Sequence, residues 1–374
     1  MNYLWLTWKD KKNPLAGGAE VVNEELAKRL VADGHEVTFL VGSFLGCKKK
    51  ETINGYKIIR LGNRYTVHFL AMIYYLINLR GQFDLIIDEI NTAPFFARFY
   101  SRKPTILFVH QLSREIWFYE MIMPFSLIGY LAEPIYLWLL RKSKAITVSK
   151  STKNNLVKFG FKKENINIIS EGIGLRPLQK LESCQAIKYK APTILSLGAF
   201  RAMKRTCHIV SAFESAKEKM PELKLIMAGD AGGKYGKKVL DKISKSKYSG
   251  SIEVLGRVNK ENKIKLMRKS HLICVTSVRE GWGLVVTEAA SQGTPAVVYD
   301  VAGLSDSVRN NKTGVICEKN NPDVLAKNIV DLLNNKNNYN RLRKNALEWS
   351  KKITFENSYK NFKEVINNFY EKRF

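Results

Sequence analysis

The sequence predicts an α/β protein of two doubly wound, Rossmann-like domains facing a central cleft. Three observations predict it. The chain has 374 residues, more than one core usually organises. Short β-rich runs alternate with helical patterns from end to end, which implies parallel sheets with helices on both faces. The alternation pauses once, near Ser170-Glu171-Gly172-Ile173-Gly174, crosses a polar, lysine-rich stretch, and restarts beyond Pro192.

The first half carries predicted strands at Tyr3–Thr7, Glu36–Val41, Tyr56–Leu61, Phe83–Asp88, Thr105–Val109 and Ala145–Val148. Between the first two, Val22, Leu26 and Leu30 recur at helical spacing, and Asp33-Gly34 ends that helix. The second half carries strands at Thr193–Leu197, Leu223–Met227, Ile252–Leu255, Leu272–Thr276, Ala296–Tyr299 and Gly314–Cys317. The boundaries that follow are an N-terminal domain over 1–174, a linker over 175–192 and a C-terminal domain over 193–354. Residues 355–374 read as a helix with an aromatic stripe of Phe355, Tyr359, Phe362, Phe369 and Tyr370. A cleft between two such domains, where strands present their carboxyl ends, is the usual ligand position.

Hydrophobic content of 45% and charged content of 25% are ordinary. The charge is not: 61 Lys+Arg against 34 Asp+Glu give +27. Such a surplus attracts polyanions, whether nucleic acid, anionic lipid or a nucleotide diphosphate. Nucleic acid is disfavoured, because the basic residues are dispersed and neither zinc-finger nor RNP-like spacing occurs. Five scattered cysteines, Cys47, Cys184, Cys207, Cys274 and Cys317, show no CxxC spacing. They suit a reducing cytosol rather than a disulfide framework or zinc site. The N-terminus lacks the apolar core of a signal peptide and reads as the first strand.

The most informative window is Glu280-Gly281-Trp282-Gly283-Leu284-Val285-Val286-Thr287-Glu288. The buried run Leu272–Ser277 leads into it, so the layout is strand, glycine-rich turn, helix. Glu280 falls in the turn and Glu288 about one and a half turns into the helix. Backbone N–H groups around Gly281, Gly283 and Leu284 open that helix and can face a phosphate. Each carboxylate can accept hydrogen bonds from a polyol. The pattern resembles the E-x7-E signature of the retaining GT-B glycosyltransferases of the group-1 class (glycosyltransferase family 4). That resemblance implies a GT-B fold and a nucleotide-sugar donor, with Glu280 on the donor sugar and Glu288 on the ribose. It also implies retention at the anomeric carbon, and a C-terminal helix that crosses back to the N-terminal domain.

Other segments carry the same resemblance. Gly17 and Gly18 lie between the first strand and first helix, where glycines permit a tight turn and close backbone approach to a phosphate. The surrounding Asn13–Glu20 looks like the family's N-terminal loop over the donor diphosphate. Arg201 and Lys204 follow the first strand of the second domain, where cations can stabilise a departing diphosphate. Many family members place the Arg directly after the Gly, where this chain has Ala199, so Arg201 reaches from two residues further on. Arg205 stands where a Gly is frequent and reads as surface. His110 ends a strand, faces the expected cleft, and resembles the family's active-site His. Gly256-Arg257-Val258 resembles the loop that holds the nucleobase, with the glycine-rich turn Ala228–Gly233 beside it. Asp300–Leu304 matches the family's turn shaping the cleft wall.

Neither GxGxxG nor Gly-Lys-Ser/Thr is present, which sets aside dinucleotide oxidoreductases and P-loop enzymes. No Asp-x-Asp sits beside a phosphate loop, so no metal or other cofactor is implied. The remaining alternatives are a sugar-nucleotide epimerase of the same fold and a non-enzymatic polyanion- or membrane-surface-binding protein. The stretch Ile116–Leu140 is apolar and aromatic, ends in Arg141-Lys142, and is broken by Glu120, Pro124, Glu133 and Pro134. A spanning helix needs about 20 largely uncharged residues, so the expectation is a pair of cleft-lining helices or an interfacial patch. Thr66–Arg80 is similar. An interfacial patch implies an anionic membrane surface as partner, a peripheral place on its inner face, and a lipid-linked or surface glycan precursor supplying the hydroxyl acceptor.

Overall fold

The computed structural model describes residues 1–181 and 188–371. Cys184 and part of the expected linker lie outside these residues, as do the last three positions of the expected C-terminal helix.

The chain divides into two compact units. The first comprises residues 1–114, 127–172 and 355–374, and the second 115–126 and 173–354. The C-terminal helix thus belongs to the first unit. Residues 115–126 lie within the expected N-terminal domain, yet they group with the second unit.

In the first unit the strands are β1 Asn2–Leu6, β2 Glu36–Gly42, β3 Lys50–Ile53, β4 Tyr56–Leu61, β5 Leu85–Ile90, β6 Thr105–Val109, β7 Lys144–Thr147 and β8 Ile166–Ile168. They form one sheet in the order β3-β4-β2-β1-β5-β6-β7-β8, parallel except for the β3–β4 hairpin. Asn54 and Gly55, both at positive φ, make the two-residue turn of that hairpin, the backbone such turns demand. The helices are α1 Gly18–Ala32, α2 Val67–Tyr74 with a π-helical extension over Tyr75–Leu79, α3 Ala97–Tyr100, α4 Ile116–Glu120 (in the second unit), α5 Phe125–Leu140 and α6 Lys150–Lys158.

Side chains alternate across a strand, and the two faces of this sheet are accordingly distinct. Trp5, on one face, stacks on Phe39 at 5.3 Å and on Phe362 of the C-terminal helix at 6.2 Å. On the other face Leu4, Leu6 and Ile86 pack with Val67, Ala71 and Tyr75 of α2. Leu107, Val109 and Ala145 pack there with Leu137 and Leu140 of α5.

The second unit's sheet contains β9 Thr193–Leu197, β10 Lys224–Ala228, β11 Ile252–Gly256, β12 Leu272–Val275, β13 Ala296–Tyr299 and β14 Gly314–Cys317. All pairings are parallel, in the order β11-β10-β9-β12-β13-β14. The order reverses between β9 and β12, and that switch point is where open α/β sheets bind ligands. Its helices are α7 Thr206–Lys219, α8 Gly233–Ser244, α9 Lys260–Lys269, α10 Leu284–Ser291, α11 Leu304–Ser307, α12 Pro322–Asn334 and α13 Lys336–Ser350; α14, Phe355–Glu371, closes the first unit. Alternate residues of β9 serve opposite cores, Ile194 with Val210 and Phe213 of α7, and Leu195 with Val286 and Ala289 of α10.

Candidate functional site

The expected donor-side residues of the second unit lie on the turns that leave its strands. Three turns are joined through backbone, with Gly198 N–H donating to Ala228 O at 2.9 Å and Gly229 N–H to Gly256 O at 2.8 Å. A Cβ on Gly229 would lie 1.9 Å from Gly198 O, so only glycine allows this approach. Two of the loops flank the switch point: residues after β9 carry Arg201 and Lys204, and residues after β12 carry Glu280. They are stitched together by Thr276 Oγ1, which donates to Lys204 O at 2.8 Å.

Lys204 Nζ meets Glu280 Oε1 at 2.5 Å, and Ser277 Oγ donates to the same oxygen. The Glu280 backbone is fixed by its N–H to Ala302 O, 3.0 Å. Gly303 beside it has φ +83, and a Cβ there would strike Glu280 O at 2.2 Å. This explains the glycine in the turn Asp300–Leu304. Gly281 precedes Gly283, which adopts φ 92 as the N-cap of α10, so the helix opens with Leu284 directly after the turn. Glu288, one turn in, pairs with Lys263 of α9 at 2.5 Å.

Arg201 is engaged by a residue that the sequence reading did not connect to it. Glu120, the last residue of α4, accepts from Arg201 Nη2 at 2.7 Å and Nε at 3.1 Å. Its other oxygen accepts from Met203 N–H at 3.3 Å. Arg257 pairs with Asp230 at 2.6 Å, and that pairing, helped by Gly232 N–H, holds the Asp230 carboxyl below its usual range. Val258 packs against the core on the α10 side of the sheet.

Arg205 departs from the surface role expected of it. It sits at φ 49 as the N-cap of α7, a left-handed backbone that glycine adopts at least cost. Its guanidinium donates to Thr276 O at 2.8 Å and Ser277 O at 2.7 Å, and lies over the Tyr299 ring. Burial lowers its pKa. The side chain clamps the Arg201–Lys204 loop to the end of β12.

In the first unit Gly17 and Gly18 are exposed at the start of α1, where Glu20 turns back to accept from Gly17 N–H at 2.5 Å. Glu20 is itself buried, 3.4 Å from Lys9 and bonded to Asn91. His110 follows β6 as the strand reading places it, but its ring is only 4% exposed. Nδ1 stands 3.5 Å from Glu171 and Nε2 3.8 Å from Glu89. Glu89, on β5, accepts from Trp5 Nε1 at 3.1 Å and Asn23 Nδ2 at 2.5 Å. Burial would lower the His110 pKa, yet Glu171 and Glu89 outweigh it and the pKa is raised; burial likewise raises that of Glu89. The sequence reading missed Glu89 and Glu171 as site-region residues. The available signal was the carboxylate pair Asp88-Glu89 inside an otherwise apolar strand.

Comparison with known proteins shows the family and the fold. Residues 180–349 match the model of glycosyl transferases group 1, and residues 16–176 match that of glycosyltransferase family 4. The chain belongs to the group-1 glycosyltransferases. It is 32% identical over 162 residues to an uncharacterised glycosyltransferase of Methanocaldococcus jannaschii, covering 43% of this chain and 44% of that protein. It is 23% identical to N-acetyl-alpha-D-glucosaminyl L-malate synthase of Bacillus anthracis, over 90% of this chain and 89% of the relative. In fold, this glycosyltransferase superposes on Anabaena HepE, solved with UDP and glucose, with a TM-score of 0.74 at 16% identity, covering 98% of this chain and all of that one. Two parallel-sheet Rossmann-like units are the GT-B architecture.

Proposed function

We propose that this glycosyltransferase moves a sugar from a nucleotide-sugar donor to a hydroxyl acceptor, with retention at the anomeric carbon. The observation that carries this reading is the Lys204–Glu280 pair at the β9/β12 switch point, flanked by Arg201 and the N-terminus of α10. There the bond from the anomeric carbon to the diphosphate oxygen breaks with its electron pair staying on the diphosphate, and a bond to the acceptor oxygen forms as the hydroxyl proton passes to that leaving diphosphate. Arg201, Lys204 and the helix opening at Gly283 stabilise the charge gathering on the diphosphate. Glu280 orients the sugar, Glu288 the ribose, and Arg257 with Val258 the base. In the first unit the exposed backbone of Gly17 and Gly18 can approach a phosphate, whereas His110, enclosed by Glu89 and Glu171, holds that unit's structure rather than touching the sugar. The step uses fixed cations and needs no metal ion. A uridine nucleotide is the donor class to test first, because the HepE neighbour was solved with UDP and glucose. The acceptor hydroxyl belongs to a lipid-linked or surface glycan precursor met at the inner, anionic face of a membrane.

Isothermal calorimetry and slow donor hydrolysis with UDP-, GDP- and ADP-sugars test the reading, with Glu280→Ala alongside. Binding of one nucleotide class, with hydrolysis lost in the variant, is expected. Absence of binding to every sugar nucleotide would overturn it.

A further inference from the structure

The outer surface of the first unit combines an unpartnered apolar face with a basic rim. The crossovers β4→β5, β5→β6 and β6→β7 all run in one direction across the sheet, so right-handed connection places α2, α3 and α5 on the same face. Contacts within the same crossovers agree: Tyr136 of α5 donates to Thr92 O, ahead of α3, at 2.8 Å, and Arg98 of α3 donates to Ser143 Oγ, just beyond α5, at 2.8 Å.

Outward from this layer, α5 presents Ile128, Leu131, Ile135, Trp138 and Leu139, all exposed. Their spacing is helical, and they form a stripe about 17 Å long at 1.5 Å per residue. Ile135 is 62% exposed and Trp138 55%. The second stripe, on α2 and its π extension, adds Phe69 at 61% and Ile77 at 74%. Exposed large apolar side chains occur singly on any surface, but a stripe repeated along one helix face marks an interaction site.

The charges choose the occupant. Across residues 66–80, 94–103 and 127–142 the sequence holds one carboxylate, Glu133. That residue is fully buried, accepting from Ser113 N–H at 2.7 Å and Arg114 N–H at 2.6 Å. The rim is basic: Arg64, Arg80, Arg98, Arg102 and Lys142 are exposed. Arg141 lies 3.8 Å from the Trp138 ring centroid and Arg64 4.4 Å from that of Tyr65. An aromatic ring capped by a guanidinium suits the headgroup boundary, with the ring among acyl chains and the cation at phosphate. None of the helices among the described residues is long and apolar enough to cross a membrane.

We propose that the α2–α3–α5 face is a monotopic docking surface for an anionic lipid bilayer. It deepens the acceptor side of the reading above by naming the surface that meets the membrane. The protein lies on the bilayer with Ile128, Ile135 and Trp138 inserted to the acyl boundary and the arginine rim on the phosphates. Binding therefore needs both the apolar stripe and anionic lipid, and weakens with salt.

Flotation of the full chain with vesicles of equal phosphatidylglycerol and phosphatidylcholine tests the surface, with no donor present. Nucleotide binding is followed separately, so failure of the donor assignment leaves this result readable. The wild type is expected to float at low salt, and Ile128→Asp/Ile135→Asp to lower partitioning about tenfold or more. Lys237→Glu/Lys238→Glu on α8 of the second unit is expected to change it less than about twofold. Brominated lipid should quench wild-type fluorescence and lose most of that quenching in Trp138→Phe, a readout that survives if the double variant fails to fold. Absence of flotation, equal losses in both double variants, or quenching unchanged in Trp138→Phe would overturn the proposal. So would a stripe-dependent dimer by light scattering without vesicle binding, which would assign the face to a second copy of the chain.

Discussion

The two units hold ionisable groups at their strand ends in opposite ways. In the first, His110 lies between Glu89 and Glu171, and each of these side chains is at most 5% exposed. In the second, Arg201, Lys204 and Arg257 are also paired, but their side chains keep 49%, 32% and 62% exposure. A buried pair cannot exchange partners without stranding a charge in a medium of low dielectric. An exposed pair contributes at most about 1 kcal/mol, so an anionic ligand displaces its carboxylate at little cost. Charge in the first unit therefore fixes structure, whereas charge in the second is available for exchange with phosphate.

The largest effect expected from this contrast is on stability. Glu89→Ala removes the partner of Trp5 and Asn23 and leaves His110 short of one carboxylate. Loss of one partner from a buried pair costs about 3–5 kcal/mol. Urea unfolding should show a loss of that size. A loss under about 1 kcal/mol would mean the buried cluster is no more structural than the exposed pairs.

Lys204→Ala sharpens the contrast from the other side. Removing one fixed donor to developing charge typically lowers turnover by about 10²–10³-fold. Because the Lys204–Glu280 pair is partly open, the melting temperature should stay near that of the wild type. Steady-state transfer and thermal denaturation measured together check this, and a variant that unfolds before it loses turnover would break the distinction.

Much of the fold was legible because parallel strands buried on both faces read as short apolar runs. β6, β9 and β13 have the bounds expected from such runs. The two strands absent from the reading, β3 with Lys50-Glu51-Thr52-Ile53 and the three-residue β8, lie at the sheet's edges. Edge positions lift the demand for apolar residues, although Asn54-Gly55 was a usable hairpin signal. Glycine spacing and the two carboxylates disclosed the loops after β9 and β12. Residues 115–126 were not assignable, because periodicity says that a helix has an apolar face but not which body covers it. Arg205 was misread for a related reason, since its left-handed backbone and its carbonyl acceptors on Thr276 and Ser277 exist only in the folded loop.

The buried cluster also has a pH signature. The His110 pKa is raised in the fold, so its stabilising contribution is present below the unfolded value of about 6.5. It is lost as pH rises through the folded value. Groups facing the ring are Glu89 and Glu171, with Glu20 and Lys9 beyond. Urea midpoints between pH 6 and 9 should fall in the wild type and fall less steeply in His110→Gln. Parallel curves would show that the cluster does not hold a proton on His110.

The smallest effect tests exchange itself. Glu120 gives Arg201 two hydrogen bonds and also accepts Met203 N–H, so one carboxylate takes three donors on a loop assigned to phosphate. Such an arrangement can act in two ways. As a competitor it must be displaced before the diphosphate binds; as a brace it holds the guanidinium where the diphosphate needs it. Exposure of Arg201 favours competition, because a half-solvated pair gives little rigidity and dissociates readily. Glu120→Gln should therefore tighten nucleoside diphosphate binding by about two- to fivefold, the equivalent of an exposed ion pair. The gain should shrink as salt rises, since screening weakens the wild-type pair as well. Calorimetric titration at two ionic strengths reads both quantities. Weaker binding in the variant would make Glu120 a brace, and the exposed pairs of the second unit would then be as architectural as the buried cluster of the first.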